Sequence, residues 1–329
     1  MREITKIRLA ISYYCELNCR HCYVPNQLRL HYQEIMDDEL TIEQIKRFLE
    51  YLILNYGLKK VDITGGEALL KKVWARTKSV VGFALDKGLE VQINTTGSGD
   101  ISPEEIKKTF GARMDRLLLH VSLDGVDDQY VDAFRGKKGA FLSSINFMKA
   151  AIELGFRVRT RLTMTPTNVD QIIPCYQLVS KLGVHSFMCK PVNIAGSSIK
   201  NKLGTLDAMQ LREIQLELLH QSVNNETTLH LPAPLAIMDK DIPPNANVEI
   251  FHCLCGKHLI YIAYNGDIFP CTYMAGVKDS NKYIIGNIKD ENFNFKKEWE
   301  KEDTYLEFRK EEKHICTAHR LCAEKNYLQ

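Results

Sequence analysis

Short apolar runs alternate with stretches of helical periodicity along the first two-thirds of the chain. Residues 42–56 show the helical pattern, because apolar side chains recur there at three- and four-residue spacing. Thr41 and Gln44 form a capping-box signature at the start of this helix, and Gly57 predicts its end. The same reasoning predicts strands at 7–14, 61–64, 89–94, 117–123, 157–164 and 184–190, and further helices at 72–87, 103–109, 140–154 and 169–182.

Six strand–helix units in succession are typical of a parallel sheet with crossover helices. A closed barrel of eight such units usually needs about 250 residues. Here the alternation ends near residue 195, so the expected α/β fold is a partial (β/α)6 barrel, TIM-like but open, over residues 1–195. A helix at 207–224 and two proline-rich stretches then predict a linking segment over residues 196–250.

The last part of the chain, residues 251–329, is expected to form a small domain of its own. Two strand-like runs in it flank Asn265-Gly266, a dipeptide typical of a two-residue hairpin turn. One charged helical stretch is expected nearer the end of the chain.

The charge balance excludes a strong electrostatic attraction to nucleic acid. The 329 residues include 43 Lys and Arg against 41 Asp and Glu, a formal net charge of +2. We find no apolar run of about 18 residues, which predicts no transmembrane helix, and no secretion signal. Ten cysteines without such a signal favour a reducing compartment. A cytoplasmic protein with neither nucleic acid nor membrane as partner is therefore expected.

The cysteines form two main groups that are far apart in the sequence. The first group, Cys15, Cys19 and Cys22, follows the first predicted strand with C-x3-C-x2-C spacing. Three thiolates on one short loop can hold three irons of a cubic 4Fe–4S cluster and leave the fourth iron open. The second group is Cys253, Cys255, Cys271, Cys316 and Cys322. Structural zinc is the alternative for either group, helped in the second by His252, His258, His314 or His319.

The carboxyl ends of the predicted strands carry glycines and polar side chains, and in a parallel barrel these ends form the working face. Glycines let a ligand come close to the backbone, and a carboxylate accepts hydrogen bonds from an amine. Hydroxyl groups can bind a ribose, and an arginine can pair with the carboxylate of a ligand. Together they predict a site for an amino acid joined to a nucleoside. Each also has a structural interpretation, as a tight turn, a strand end or a barrel ion pair. The residues are Gly65, Gly66, Glu67, Thr95, Ser122, Arg159 and Arg161.

On these motifs the sequence resembles the radical S-adenosylmethionine (SAM) superfamily. The resemblance implies that Cys15, Cys19 and Cys22 hold a 4Fe–4S cluster whose open iron binds SAM. One electron from the cluster would cleave SAM to a 5′-deoxyadenosyl radical, which abstracts hydrogen from a C–H bond. The residues expected at the cofactor are His21 and Tyr23 beside the adenine, Gly65, Gly66 and Glu67 beside the amine, and Thr95, Ser122 and Arg161.

Further segments resemble the branch of this superfamily that carries a C-terminal SPASM or twitch domain. These segments are residues 121–125, 134–136, 139–141 and 161–165, and the stretch from Cys255 through Gly266 to Cys271. The tail departs from the full SPASM pattern, because Lys313 and Asn326 stand where its outer cysteines would be. The resemblance therefore implies one auxiliary iron–sulfur cluster, held by four of the five tail cysteines.

The predicted function is a radical SAM oxidoreductase that oxidises, crosslinks or epimerises a peptide or protein. One alternative is an enzyme for a small metabolite such as a sugar, aminocyclitol or tetrapyrrole, and another is a non-catalytic iron–sulfur or zinc scaffold. Cys189, on the sixth predicted strand, is a candidate hydrogen donor if it faces the barrel lumen, and a core residue otherwise.

The expected partners are the substrate and a reductant such as flavodoxin or ferredoxin. The first predicted strand begins within the first ten residues, so we expect no recognition domain before it. A peptide substrate is then expected to need a separate recognition protein.

Overall fold

The computed structural model of the protein describes residues 2–25, 28, 36–233, 236–310, 316–318 and 320–321. The predicted ligand Cys322 lies outside these residues, as do Lys313, Asn326, His314 and His319. Within the described ranges, none of the helices has the length and apolar character needed to cross a bilayer.

One sheet organises the described part of the chain, with strand order β10-β9-β1-β2-β3-β4-β5-β6-β7-β8. All neighbouring strands pair in parallel except β9 and β10, which form the predicted hairpin. The strands are β1 Lys6–Ser12, β2 Lys60–Gly65, β3 Glu90–Thr95, β4 Leu117–Ser122, β5 Arg157–Met164, β6 Ser186–Pro191, β7 Thr228–Pro232, β8 Val248–Phe251, β9 Leu259–Ile262 and β10 Ile268–Phe269.

The helices of the alternating region match the predicted ones within one or two residues at most ends. Thr41 and Gln44 form both hydrogen bonds of the capping box, and Gly57 ends the helix in the left-handed conformation. The helices are α1 Ile42–Tyr56, α2 Lys71–Asp86, α3 Pro103–Phe110, α4 Asp128–Arg135, α5 Ala140–Glu153, α6 Val169–Lys181, α7 Ser197–Lys200, α8 Ala208–Gln221, α9 Phe295–Glu300 and α10 Leu306–Lys310.

Two helical features differ from expectation. Helix α4 was not predicted, although Asp127 caps it by accepting from the Tyr130 N–H and Gly136 follows it in the left-handed conformation. The single charged helix expected near the end is two short helices, α9 and α10. Tyr305 separates them with a φ of 53°, outside the helical region.

The sheet extends beyond the six strands expected for the barrel. Strands β7 and β8 continue it in parallel, within the segment expected to be only a linker. The prolines there concealed β7, whose last residue is Pro232, a position where a missing N–H is tolerated. At the other edge, β9 pairs in parallel with β1, so the C-terminal region joins the barrel sheet directly.

The strands place polar side chains inside the barrel and apolar ones outside, beneath the helices. On β5, Arg159 and Arg161 face the interior cavity, whereas Val158 and Leu162 are fully buried on the opposite face. Fully buried aliphatic side chains under the helices contribute about 2–5 kcal/mol each relative to alanine. Packing energy therefore comes from the outer layer, which leaves the interior free for chemistry.

Candidate active site

A cavity of about 610 Å³ occupies the interior of the barrel. Cysteines of both groups line it, as do all the residues expected at the cofactor. Those lining residues are Cys15, Cys19, His21, Cys22, Tyr23, Gly65, Gly66, Glu67, Thr95, Ser122, Arg161, Cys253, Cys255, Cys271 and Cys316.

The first cysteine loop begins against the glycines that follow β2. The Gly66 N–H donates to the Ser12 carbonyl at 2.8 Å, and the Glu67 N–H donates to the Tyr14 carbonyl at 2.9 Å. A Cβ on Gly66 would lie 2.0 Å from the Tyr14 oxygen, and Gly65 has a φ of 108°. Both positions therefore require glycine to seat the cysteine loop. Contact between these glycines and SAM stays a prediction.

The other end of the loop is held by two glycines that were not singled out from the sequence. A Cβ would lie 2.3 Å from the Tyr23 carbonyl oxygen at Gly196 and 2.2 Å from it at Gly276. Gly196 donates its N–H to the Gly276 carbonyl at 2.8 Å, and Ser197 donates to the Cys22 carbonyl at 2.7 Å. The segments after β6 and after β10 thus meet at the third cysteine.

The three thiols fit a cubic cluster with one free iron. They sit on one loop and face a cavity that can admit a further ligand. Burial raises the pKa of Cys15, and the nearby Cys19 and Glu67 raise it further. A bound metal deprotonates a coordinating cysteine outright, so cluster binding would overcome this shift.

Glu67 is almost fully buried and accepts four hydrogen bonds. Oε1 accepts from the Leu69 N–H at 3.1 Å and the Thr95 hydroxyl at 2.8 Å. Oε2 accepts from the N–H and the hydroxyl of Thr96, both at 2.8 Å. A carboxylate offers about four acceptor positions, so Glu67 ties the end of β2 to the end of β3. Its expected contact with the SAM amine, and that of Thr95 with the ribose, stay predictions.

His21 and Tyr23 flank the third cysteine. The His21 ring stacks on Phe134 with centroids 4.9 Å apart, and burial lowers its pKa to about 3, so it is neutral. The Tyr23 hydroxyl lies 3.4 Å from that of Tyr261, which is 2.7 Å from that of Tyr13. This tyrosine cluster connects the loop to β9.

Arg161, within β5, and Ser122, the last residue of β4, also line the cavity. Arg161 donates to the Tyr273 hydroxyl at 2.9 Å, and its Nε is buried without a hydrogen-bond partner among the described residues. Lys190 lies 4.8 Å from the centroid of the Tyr273 ring. Burial alone would raise the pKa of Tyr273, but the charges of Lys190 and Arg161 outweigh it and lower the pKa to about 8.

Four thiols of the second group lie together, although they come from three separate segments. Cys253 interacts with Cys255 and Cys316, and Cys255 interacts with Cys271. These shared hydrogen bonds lower the pKa of Cys253 and Cys271 and raise that of Cys255 and Cys316. Four thiols fit the ligand requirement of one cubic cluster. Cys253 and Cys255 both belong to the group, despite being one residue apart.

Arg8 of β1 supplies positive charge to this second group. Burial by itself would lower the pKa of Arg8, but the charges of Cys255 and Asp62 outweigh it and raise the pKa.

Within the described ranges, no three His, Cys, Asp or Glu side chains are placed to hold a single metal ion.

Cys189 does not lie where a hydrogen donor would be needed. Met188 and Lys190 of β6 line the cavity, and Cys189 between them points to the opposite face, where it is fully buried. The Cys175 thiol of α6 lies near it: burial raises the pKa of Cys175 most, and the charges of Asp124 and Cys189 add to the increase. Cys189 is therefore a core residue, which is the second of the two interpretations given for it, and it is not placed to act as the candidate hydrogen donor.

Comparison with known proteins agrees with this site. A model of the radical SAM superfamily matches residues 9–179, and a model of an iron–sulfur cluster-binding domain, SPASM, matches residues 253–324. An AdoMet-dependent heme synthase of Methanosarcina barkeri is 24% identical, over 94% of this chain and 87% of the relative. The subtilosin biosynthesis protein AlbA of Bacillus subtilis is 25% identical, over 84% of this chain but only 56% of AlbA.

Solved structures share the fold. Streptococcus suis SuiB bound to S-adenosylmethionine superposes with a TM-score of 0.69 at 17% identity, over 94% of this chain and 66% of SuiB. Native anSMEcpe with bound AdoMet gives a TM-score of 0.64 at 12% identity, over 98% of this chain and 96% of anSMEcpe. The family model spans more than half of the chain. The protein therefore belongs to the radical SAM superfamily, in the branch that carries a SPASM domain.

Proposed function

We propose that this radical SAM enzyme abstracts hydrogen from a C–H bond of a peptide or protein residue, and that the substrate is oxidised or crosslinked. When bound, the 4Fe–4S cluster and SAM of the superfamily supply a 5′-deoxyadenosyl radical. The chain's own residues hold the cysteine loop and line the cavity.

A single observation carries the proposal: both thiol groups line one cavity. A substrate residue in that cavity lies between the SAM site and the auxiliary site. An auxiliary cluster placed there can accept an electron from the substrate or bind it directly, which favours oxidative chemistry. Because Cys189 faces away from the cavity, it does not support the hydrogen return that epimerisation needs.

The size of the cavity favours a peptide side chain as the reacting group. A volume of about 610 Å³ is in the range of pockets for one drug-sized ligand, and SAM occupies part of it. The space left suits a side chain better than a whole macrocycle. AlbA is named for bacteriocin biosynthesis, and a structure of SuiB holds its precursor peptide SuiA, which also supports this choice.

A tetrapyrrole is the second candidate, because cationic side chains line the cavity without carboxylate partners. Arg159, Arg161 and Lys190 form no ion pair with a described carboxylate and can receive carboxylates of a substrate. Several relatives are heme synthases, which supports this alternative.

The remaining parts of the proposal concern the surroundings of the enzyme. The one-electron reductant is a flavodoxin or ferredoxin, a separate protein presents the peptide, and both act with the enzyme in the cytoplasm. The reductant is proposed because the chemistry needs a low-potential electron for each turnover.

Anaerobic reconstitution with iron, sulfide, SAM and dithionite tests the function. We expect 5′-deoxyadenosine, and the loss of two hydrogen atoms from a precursor peptide encoded beside the gene, measured by mass spectrometry. Conversion of a tetrapyrrole instead of the peptide would establish the second candidate. A peptide whose mass is unchanged after reaction in H2O but increases through deuterium uptake in D2O would establish epimerisation. Absence of 5′-deoxyadenosine with every substrate would reject the proposal.

A further inference from the structure

The carboxyl end of α4 contacts the first cysteine loop through its backbone. The Asn18 N–H donates to the Arg135 carbonyl at 3.0 Å, and the Arg20 N–H donates to the Phe134 carbonyl at 2.9 Å. Gly136 follows with a φ of 66°, and a Cβ there would lie 2.8 Å from the Asn18 oxygen. These contacts hold the end of α4 in a constant position relative to Cys19.

The Arg135 side chain points from this helix end toward Cys19. Its Nη1 donates to the Cys19 Sγ at 3.8 Å, and its Nη2 forms an ion pair with Asp124. Both partners of the ion pair are buried, with side-chain exposures of 7% and 0%. Asp124 also accepts the Thr163 N–H at 3.0 Å, so the carboxylate that orients the guanidinium is itself held in place.

Arg135 stays charged in this position. A guanidinium keeps its proton in proteins, and the buried carboxylate of Asp124 beside it favours the charged form. The guanidinium is thus a permanent cation, almost fully buried, with one N–H directed at a predicted cluster ligand.

We propose that Arg135 is a positioning residue that raises the reduction potential of the SAM-binding cluster through Cys19, and that Asp124 aims it. Adding an electron makes the cluster more negative. A nearby cation and an N–H···S hydrogen bond stabilise that extra charge, and a low-dielectric surrounding strengthens both effects. The inference rests on the cluster of the superfamily and is independent of the substrate proposed above.

Arg20 provides a matched control in the same loop. It directly follows Cys19 in the sequence, but its side chain is exposed. Replacing Arg20 by glutamine removes the same charge from a solvated position, where water and salt screen it. The comparison of Arg135→Gln with Arg20→Gln therefore isolates the effect of the buried cation.

The test is a redox titration of the reconstituted enzyme, monitored by electron paramagnetic resonance. The cluster under study is the one whose signal changes when SAM is added. For Arg135→Gln we expect the ratio of reduced to oxidised cluster at a given potential to fall about tenfold, or about 59 mV for one electron. Arg135→Lys keeps the charge without the planar guanidinium, so its midpoint potential should lie between those of the wild type and Arg135→Gln. Arg20→Gln should titrate like the wild type.

Two results would overturn the inference. One is an Arg135→Gln protein with full iron content and a wild-type midpoint. The other applies if Arg135→Gln binds no cluster: Arg135→Lys is then titrated, and a wild-type midpoint in it would reduce Arg135 to a structural residue. A midpoint shifted to lower potential in Arg135→Lys supports the proposal.

Discussion

The two cysteine groups of this protein reach the same cavity by different routes. Cys15, Cys19 and Cys22 share one loop whose backbone is held by the segment after β2, the end of α4 and the segments after β6 and β10. The second group gathers thiols from three separate segments. The first site is therefore built by local sequence and reinforced by the fold, whereas the second exists only once the segments around β8, β9 and β10 have come together in the fold.

The second cysteine group also lies on the connection between the two sides of the sheet. Strand β8 is one edge of the sheet, β9 lies next to the other edge, and residues 252–258 connect the two. Cys253 and Cys255 lie on this short connection, so they stand where the edges of the barrel approach each other. A disturbance of that connection should affect the auxiliary site first and leave the loop after β1 intact.

The largest expected difference between the two groups is in SAM cleavage, measured after one cysteine ligand of each group is removed. Cys19→Ala should abolish formation of 5′-deoxyadenosine, because the SAM-binding cluster loses one of three ligands. Cys271→Ala should lose about four irons per chain and all product, yet keep SAM cleavage within about threefold of wild type, since the loop that holds the SAM-binding cluster is unchanged. Iron analysis and chromatography of 5′-deoxyadenosine measure both. Equal loss of SAM cleavage in the two variants would show that the groups are not separable.

A second prediction concerns how tightly the first loop is seated. Gly66→Ala places a Cβ 2.0 Å from a backbone oxygen and should lower the free energy of unfolding by about 3 kcal/mol. Gly82→Ala is the control, because Gly82 lies inside α2, and a Cβ there would lie 3.9 Å from the nearest atom, in the Phe110 ring. That change should raise stability by about 0.5–1 kcal/mol. Denaturant unfolding of the two variants measures the contrast, and equal stabilities would contradict the close contact seen here.

The smallest expected effect is that of Glu67→Gln. The amide NH2 cannot accept the hydrogen bonds that Thr95 or Thr96 donates, so we expect a loss of about 1–3 kcal/mol of stability. Glu213→Gln, on the exposed face of α8, should stay within about 0.5 kcal/mol of wild type. Thermal unfolding compares them. A neutral Glu67→Gln would mean that the carboxylate does not hold the ends of β2 and β3 together.

The site residues that sequence reasoning missed are those whose role depends on contacts with segments far away in the chain. Gly196 and Gly276 matter because each touches the backbone of residue 23, far away in the chain. Arg135 and Asp124 lie in segments that resemble the family, but their ion pair beside Cys19 follows from the approach of α4 to the loop. For Cys189 the sequence left both interpretations open, because strand alternation alone does not say which face is inside.

The amino-acid sequence by itself determined the alternating strands and helices, the first cysteine loop and the glycines after β2. These features depend on local periodicity and short spacing, which survive in any fold that uses them. Only the tertiary structure decided that β7 and β8 extend the sheet, that β9 joins β1, and that the second cysteines face the same cavity. Such outcomes depend on contacts between distant segments, and these are set by the way the whole sheet twists and closes rather than by any local pattern.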